Sequence, residues 1–200
     1  LIDHSFVIWL AKNGAAGHKG VGPSIGHLAD VVGFDAAIHY GRPDWPGADH
    51  LLLMEEEVIP VAAPGFLPGG APEAKALLDQ PLLMIESRTG DWGRWFAAQG
   101  LPGQRPRGML FDQFATMQQG AIHGLGVALL PTFLITDDLR AGRLKAIGAA
   151  ERSAGSYFLT WPKDTPPRPA FAAFRDWITA QVQRPTPDAA NRRAAGQGGG

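Results

Sequence analysis

The residues that could do chemistry are few, and they do not gather into a catalytic pattern. Ser24 sits in Gly22-Pro23-Ser24-Ile25-Gly26, the G-x-S-x-G spacing that can present a serine hydroxyl as an acyl-transfer nucleophile. Such an elbow needs a buried strand directly before it to hold the strained serine. The preceding residues, GAAGHKGV, are broken by glycine and do not read as a strand, so the segment reads as a turn. Gly124-Leu125-Gly126 contains a G-x-G, but it leads from a helix into a strand. A dinucleotide site needs the reverse order, with the glycines opening a helix N-terminus. The six histidines include no pair four residues apart on a helix, and there is no cysteine. That leaves no metal-ligand set, no disulfide and no thiol chemistry. Glu55-Glu56-Glu57 opens a strand and reads as its solvated edge. No catalytic residue, metal site or cofactor is expected, and the chain is not read as an enzyme.

What would position any other site is a regular alternation of elements. SFVIWL (residues 5–10) reads as a strand or as the first turns of a helix, and the glycines of residues 12–26 then break all periodicity. HLADVV suits a short helix ending at Gly33, and FDAAIHYG (34–41) a strand burying Ala37. EEEVIPVAAP (55–64) is a strand, and PEAKALLDQ (72–80) a short helix opened by Pro72. PLLMIES (81–87) is apolar on both phases, the pattern of a parallel strand covered on both faces. In DWGRWFAAQG, Asp91 reads as an N-cap, Trp92, Trp95 and Phe96 share one face, and Gly100 is the stop. RGMLF is a strand, Asp112 reads as the cap of a helix carrying Phe114, Met117, Ala121 and Ile122, and GVALLP is a buried strand. A helix from Pro131-Thr132 to Arg140 closes at Gly142; RLKAI and SYFLTWP are strands. PAFAAFRDWITAQV (169–182) is a last helix with Phe171, Phe174, Ile178 and Val182 aligned. Alternating strands and helices mean an α/β fold with parallel sheet; the turns after EVIPVAAP and GVALLP fit two small lobes joined by crossing strands better than one wide sheet, a choice that periodicity alone does not decide.

With 45% hydrophobic and 18% charged residues, the 200-residue chain has the composition of an ordinary globular protein. Its formal net charge of -1 argues against gripping nucleic acid, because phosphate neutralisation needs a basic excess. No run reaches the roughly 20 apolar residues of a membrane span. The N-terminus has neither a basic n-region nor a small-residue cleavage site, so export is not expected and the cytoplasm is.

The segments FDAAIHYGRPDWPG, EEEVIPVAAPGFL, GDWGRWFAAQG, RGMLFDQFATMQQGAIHGLGVALLPTFL, LRAGRL, YFLTWP and PAFAAFRDWI come in unbroken order from about Leu28 to Ala180. Together they resemble the effector-binding domain of LysR-type transcriptional regulators, in the branch that includes activators of glycine-cleavage operons. The resemblance implies a two-lobed, periplasmic-binding-protein-like (type II) α/β fold with central mixed sheets and a cleft between the lobes. Lobe I is expected at residues 1–59 plus 130–182, with 1–27 atypical, and lobe II at 60–129. The crossings then fall near Ile59–Val61 and Leu129–Pro131, and residues 183–200 form a disordered tail. The implied function is effector sensing and oligomerisation, as a homodimer or homotetramer, in control of transcription. Operator DNA is then bound only through an N-terminal helix-turn-helix segment absent from these 200 residues. The effector is expected to be a small molecule such as an amino acid or carboxylate. It would lie against strand ends and helix N-termini, at Ser5, Tyr40, Gly41, Ser87, Thr89, Pro131, Thr132 and Phe133. Arg42, Arg88 and Arg94 are candidate counter-charges for an acid. The alternative is a stand-alone solute-binding protein of the same fold, serving uptake.

Overall fold

The computed structural model describes residues 7–11, 16–19, 34–67, 72–164, 166 and 168–182. Ser5, Ser24, the helix expected before Gly33 and the tail expected to be disordered lie outside the described residues. In chain order the strands and helices are β1 (Val7–Ala11), β2 (Ala16–Lys19), β3 (Phe34–Gly41), β4 (Ala48–Ala62), β5 (Leu82–Ile85), α1 (Asp91–Ala98), β6 (Gly108–Phe111), α2 (Phe114–Ile122), β7 (Val127–Pro131), α3 (Thr132–Arg140), β8 (Lys145–Ala146), β9 (Glu151–Pro162) and α4 (Pro169–Val182). Short 3-10 helices run Ala74–Asp79 and Glu86–Arg88.

Among the described residues the chain divides into two compact units, one of residues 55–156, the other of residues 7–54 and 157–182. β4 and β9 each run through a boundary, so each contributes to both units. These bounds differ from the division expected at 59–61 and 129–131. The reason is packing. Ile135 of α3 and Leu144 are buried among Leu83, Met117 and Leu130, so the chain after β7 stays with the 55–156 unit.

Within that unit the strand order is β4-β7-β5-β6, with β8 beside β4. β5 runs parallel to both β6 and β7, whereas β4 and β7 are antiparallel. The apolar run of β5 is explained by cover on both sides. Leu82 and Met84 pack with Trp92, Trp95 and Phe96 of α1, while Leu83 and Ile85 pack with Met117 and Ala121 of α2. The buried indoles find partners, as they must when removed from water. Trp92 Nε1–H donates to the Leu83 carbonyl at 3.0 Å, and Trp95 Nε1–H to that of Ala149 at 2.9 Å. At the α2–β7 turn, a Cβ on Gly126 would lie 2.2 Å from the Pro81 oxygen, so the close strand approach there requires glycine.

In the other unit the order is β2-β1-β3-β9-β4. The helix α4 covers one face, with Phe171 buried against Ala36 and Leu159, and Phe174 and Ile178 partly buried beside it. Val182 does not join this face; it is 40% exposed, one turn past the end of the core.

Three further expectations need correction. The glycine-broken stretch after Ala11 contains β2, paired antiparallel with β1 (Trp9 opposite Gly17), because a hairpin ladder needs backbone hydrogen bonds rather than side-chain periodicity. Asp91 and Asp112 are not caps. The N-cap positions are Gly90 and Gln113, neither making a side-chain capping bond, and Asp91 instead lies in the first turn beside Arg94. Finally, β4 begins at Ala48 and β9 at Glu151, both earlier than the hydrophobic patterns suggested.

Candidate functional site

Parallel pairing decides where chain ends gather. Because β5 is parallel to β6 and β7, the residues that follow Ile85, Phe111 and Pro131 all emerge at one edge of the 55–156 unit. Because β4 is antiparallel to β7, with Val58 opposite Pro131, its Glu55-Glu56 end lies at that same edge. In open α/β sheets the crevice outside the carboxyl ends of the strands is where ligands bind.

Three helices start there, α1, α2 and α3, and no start is closed by a capping side chain. Backbone N–H groups of a first turn carry partial positive charge and suit a carboxylate or phosphate. Ser87 and Thr132, half-buried, and Thr89, exposed, add hydroxyls; Phe133 is 41% exposed beside them, and Pro131 is buried as the last residue of β7. Five of the eight residues expected at the site thus lie at one edge of one unit. Tyr40 and Gly41 end β3 in the other unit. The Tyr40 ring is buried with its centroid 5.4 Å from that of Tyr157, and Gly41 has φ 153°, a region that favours glycine. Ser5 lies outside the described residues.

The arginines are placed differently from their reading as counter-charges. Arg88 is buried, and its Nη1 donates to Glu56 Oε1 at 2.7 Å. Its guanidinium carbon sits 5.0 Å from the centroid of the Phe114 ring, and Ser153 Oγ donates to the same Glu56 oxygen at 2.7 Å. The charge of Arg88 is therefore already answered, and the residue anchors the segment between Ser87 and Thr89 onto β4. Arg94 is paired with Asp91 on the same helix. Burial pushes the Asp91 carboxyl above its ordinary pKa, with Arg94 and Arg88 pulling the other way. Arg42 is exposed.

Glu56 is the residue that sequence reasoning misread. Glu55 and Glu57 are exposed as expected, but Glu56 is 1% exposed. The signal was present: Glu56 shares its phase with Val58 and Pro60, so the period-2 rule turns it inward. A second polar cluster, His39, His50 and Thr160, was missed because its members are far apart in sequence. Among the described residues no three His, Asp or Glu side chains converge as a metal ion needs.

The geometry first defines a class: an α/β protein with helix starts and hydroxyls at the carboxyl edge of a mixed sheet. A solved structure of this class, the effector domain of the transcriptional regulator AmpR of Pseudomonas aeruginosa, matches with a TM-score of 0.67 and 31% identity over 79% of this chain and 75% of that one. The regulatory domain of CrgA from Neisseria meningitidis matches with a TM-score of 0.64 at 17% identity, covering 81% of each chain, which bears on the fold alone. The fold is the type II periplasmic-binding-protein-like fold of these domains. The family described as LysR substrate binding domain matches residues 31–183, and the chain belongs to it. It is 34% identical to the HTH-type transcriptional activator AmpR of Rhodobacter capsulatus over 154 residues, 74% of this chain and 51% of that protein. It is 33% identical to the glycine cleavage system transcriptional activator of Escherichia coli K12 over 158 residues, 78% of this chain and 51% of that protein. The chain spans about half the length of these curated relatives.

Proposed function

We propose that this chain is the effector-sensing part of a LysR-type transcriptional regulator and carries no catalytic activity. The observation that carries the reading is the carboxyl edge of the 55–156 unit, where three uncapped helix starts meet Ser87, Thr89 and Thr132. The effector is a small molecule bearing a carboxylate, such as an amino acid. Helix amides and hydroxyls hold it, since Arg88 is committed to Glu56. The whole protein binds operator DNA through a helix-turn-helix segment outside these residues, acts in the cytoplasm and works as a homodimer or homotetramer. The relatives' names as transcriptional activators support this reading over a solute-binding protein for uptake. Self-association is supported by Met109 and Leu110, 52% and 55% exposed on β6, the terminal strand of the sheet order among the described residues.

A thermal-shift screen of amino acids and small carboxylates tests the proposal, since a ligand that binds only the native state raises the melting temperature. For a compound that raises it, Thr132→Val and Ser87→Ala are each expected to weaken binding about tenfold, the worth of one hydrogen bond to a charged group. A wild-type affinity retained in the double variant would sink the site assignment.

A further inference from the structure

On the face of the 7–54 and 157–182 unit opposite α4, three polar side chains from three adjacent strands touch in a line. His39 on β3, Thr160 on β9 and His50 on β4 occupy the order β3-β9-β4. His39 and Thr160 are buried, at 2% and 0% exposure. Thr160 Oγ1 lies 3.1 Å from His39 Nδ1 and 3.0 Å from His50 Nδ1. His39 Nε2 lies 3.4 Å from the Arg42 carbonyl oxygen, in the loop that follows Gly41. Trp45 of that loop is buried and stacked on the His39 ring, centroids 4.3 Å apart and planes 14° from parallel, and Phe158 stacks at 5.8 Å.

Proton positions follow from the partners. A carbonyl only accepts, so His39 Nε2 carries a hydrogen. In a neutral ring Nδ1 then accepts, and Thr160 must donate to it. The Thr160 oxygen in turn accepts from His50 Nδ1–H. All three hydrogen bonds thus point one way, from His50 through Thr160 and His39 to the backbone of the loop.

We propose that this ladder is a proton-operated latch on the 42–47 loop. Adding a proton to His39 Nδ1 from solvent turns that atom into a donor. If the Thr160 oxygen accepted from both rings, its own hydrogen would be buried between two donors, so the hydroxyl reverses and donates to His50 Nδ1, whose own hydrogen is released to solvent as another is taken up at Nε2. The uptake is one proton, and the visible results are an imidazolium at His39 and a changed tautomer at His50. Among the described residues, few groups bear on the new charge. His50 on β4 opposes it, with ring centroids 6.2 Å apart, and the exposed Asp44 of the loop attracts it. β9 contributes Thr160 and Phe158 there, and β1, which pairs with the other edge of β3, has no ionisable residue. Burial holds the His39 pKa below its ordinary value, and His50 adds to that, while the Arg42 carbonyl and Asp44 oppose it. A cation under Trp45 strengthens the Nε2–H bond to the Arg42 carbonyl and the stacking on the indole and draws Asp44 inward, so the acid form holds the loop more tightly. The latch belongs to this unit by itself and does not depend on what binds at the 55–156 edge.

Long-range proton–nitrogen NMR of the imidazoles of the whole chain, from pH 8 to pH 5, tests the latch. At pH 8 His39 should show the Nε2–H tautomer and His50 the Nδ1–H tautomer. On acidification, His39 protonation, the His50 tautomer change and a shift of the Trp45 indole N–H should occur in one shared step. Thr160→Ser should keep that single step, and Thr160→Val should split it, with Trp45 following His39 alone. His39 titrating while His50 and Trp45 stay unmoved would overturn the proposal. So would a wild-type and a Thr160→Ser protein in which His39 takes no proton before global unfolding.

Discussion

Replacing Glu56 with Ala tests the buried ion pair that ties the Ser87–Thr89 segment to β4. Glu56 and Arg88 meet at 2.7 Å with side-chain exposures of 0% and 3%, so water screens neither charge. Removing the carboxylate takes the opposite charge from a guanidinium in a dry site and breaks the hydrogen bond from Ser153 Oγ to Glu56. Breaking a buried pair by deleting one partner costs about 3–5 kcal/mol. That is a large share of the roughly 5–15 kcal/mol that holds a domain folded. Glu56→Leu combined with Arg88→Met removes both charges and fills similar volume, so it should lie within about 1 kcal/mol of the parent. The difference between the double variant and the summed losses of its own single variants, Glu56→Leu and Arg88→Met, then gives a coupling of several kcal/mol. Urea unfolding followed by circular dichroism, extrapolated linearly to water, measures the parent and all four variants. Additive losses, or a Glu56→Ala loss below about 1 kcal/mol, would refute the burial argument.

Gly126→Ala puts a Cβ 2.2 Å from the Pro81 carbonyl oxygen, a backbone atom that cannot swing aside, so a loss of about 1–3 kcal/mol or more is expected by the same unfolding assay. Trp95→Ala empties a fully buried site and leaves the Ala149 carbonyl unpaired, which should cost about 3–5 kcal/mol; a loss under 1 kcal/mol would mean the α1 face is not core. For His39 the sign follows from its lowered pKa: the native ring stays neutral while the unfolded chain takes a proton near its ordinary 6.5. Its contribution is fully present above that pH and is lost as pH falls from there toward the folded pKa, then stays constant. Unfolding free energies between pH 8 and pH 5 should show this decline in the parent and lack it in His39→Phe.

Much of the 55–156 unit was legible because its strands are covered on both faces and its helices show one apolar stripe. PLLMIES announced a parallel strand, the Trp92, Trp95 and Phe96 spacing announced the face of α1, and Gly142, with φ 69°, marked the end of α3. Caps were less legible. An aspartate before a helix caps it only if the backbone bends at that residue, and at Asp91 the bend comes one residue earlier. The lengths of β4 and β9 were hidden because each strand serves two units, so no single alternation runs its whole length.

The sequence by itself determined which segments are apolar on one face or two, and therefore the α/β class, the family and the residues at strand ends. Those are local properties, set by period and by turn residues within a few positions. Only the tertiary structure decided that Glu56 meets Arg88, 32 residues away, and that His39 and Thr160, 121 residues apart, share one hydrogen bond. It also decided that α3 packs beside α2 on one sheet face. Such pairings depend on strand order and register, which hydrogen-bonded backbone fixes across the whole chain and no local pattern encodes.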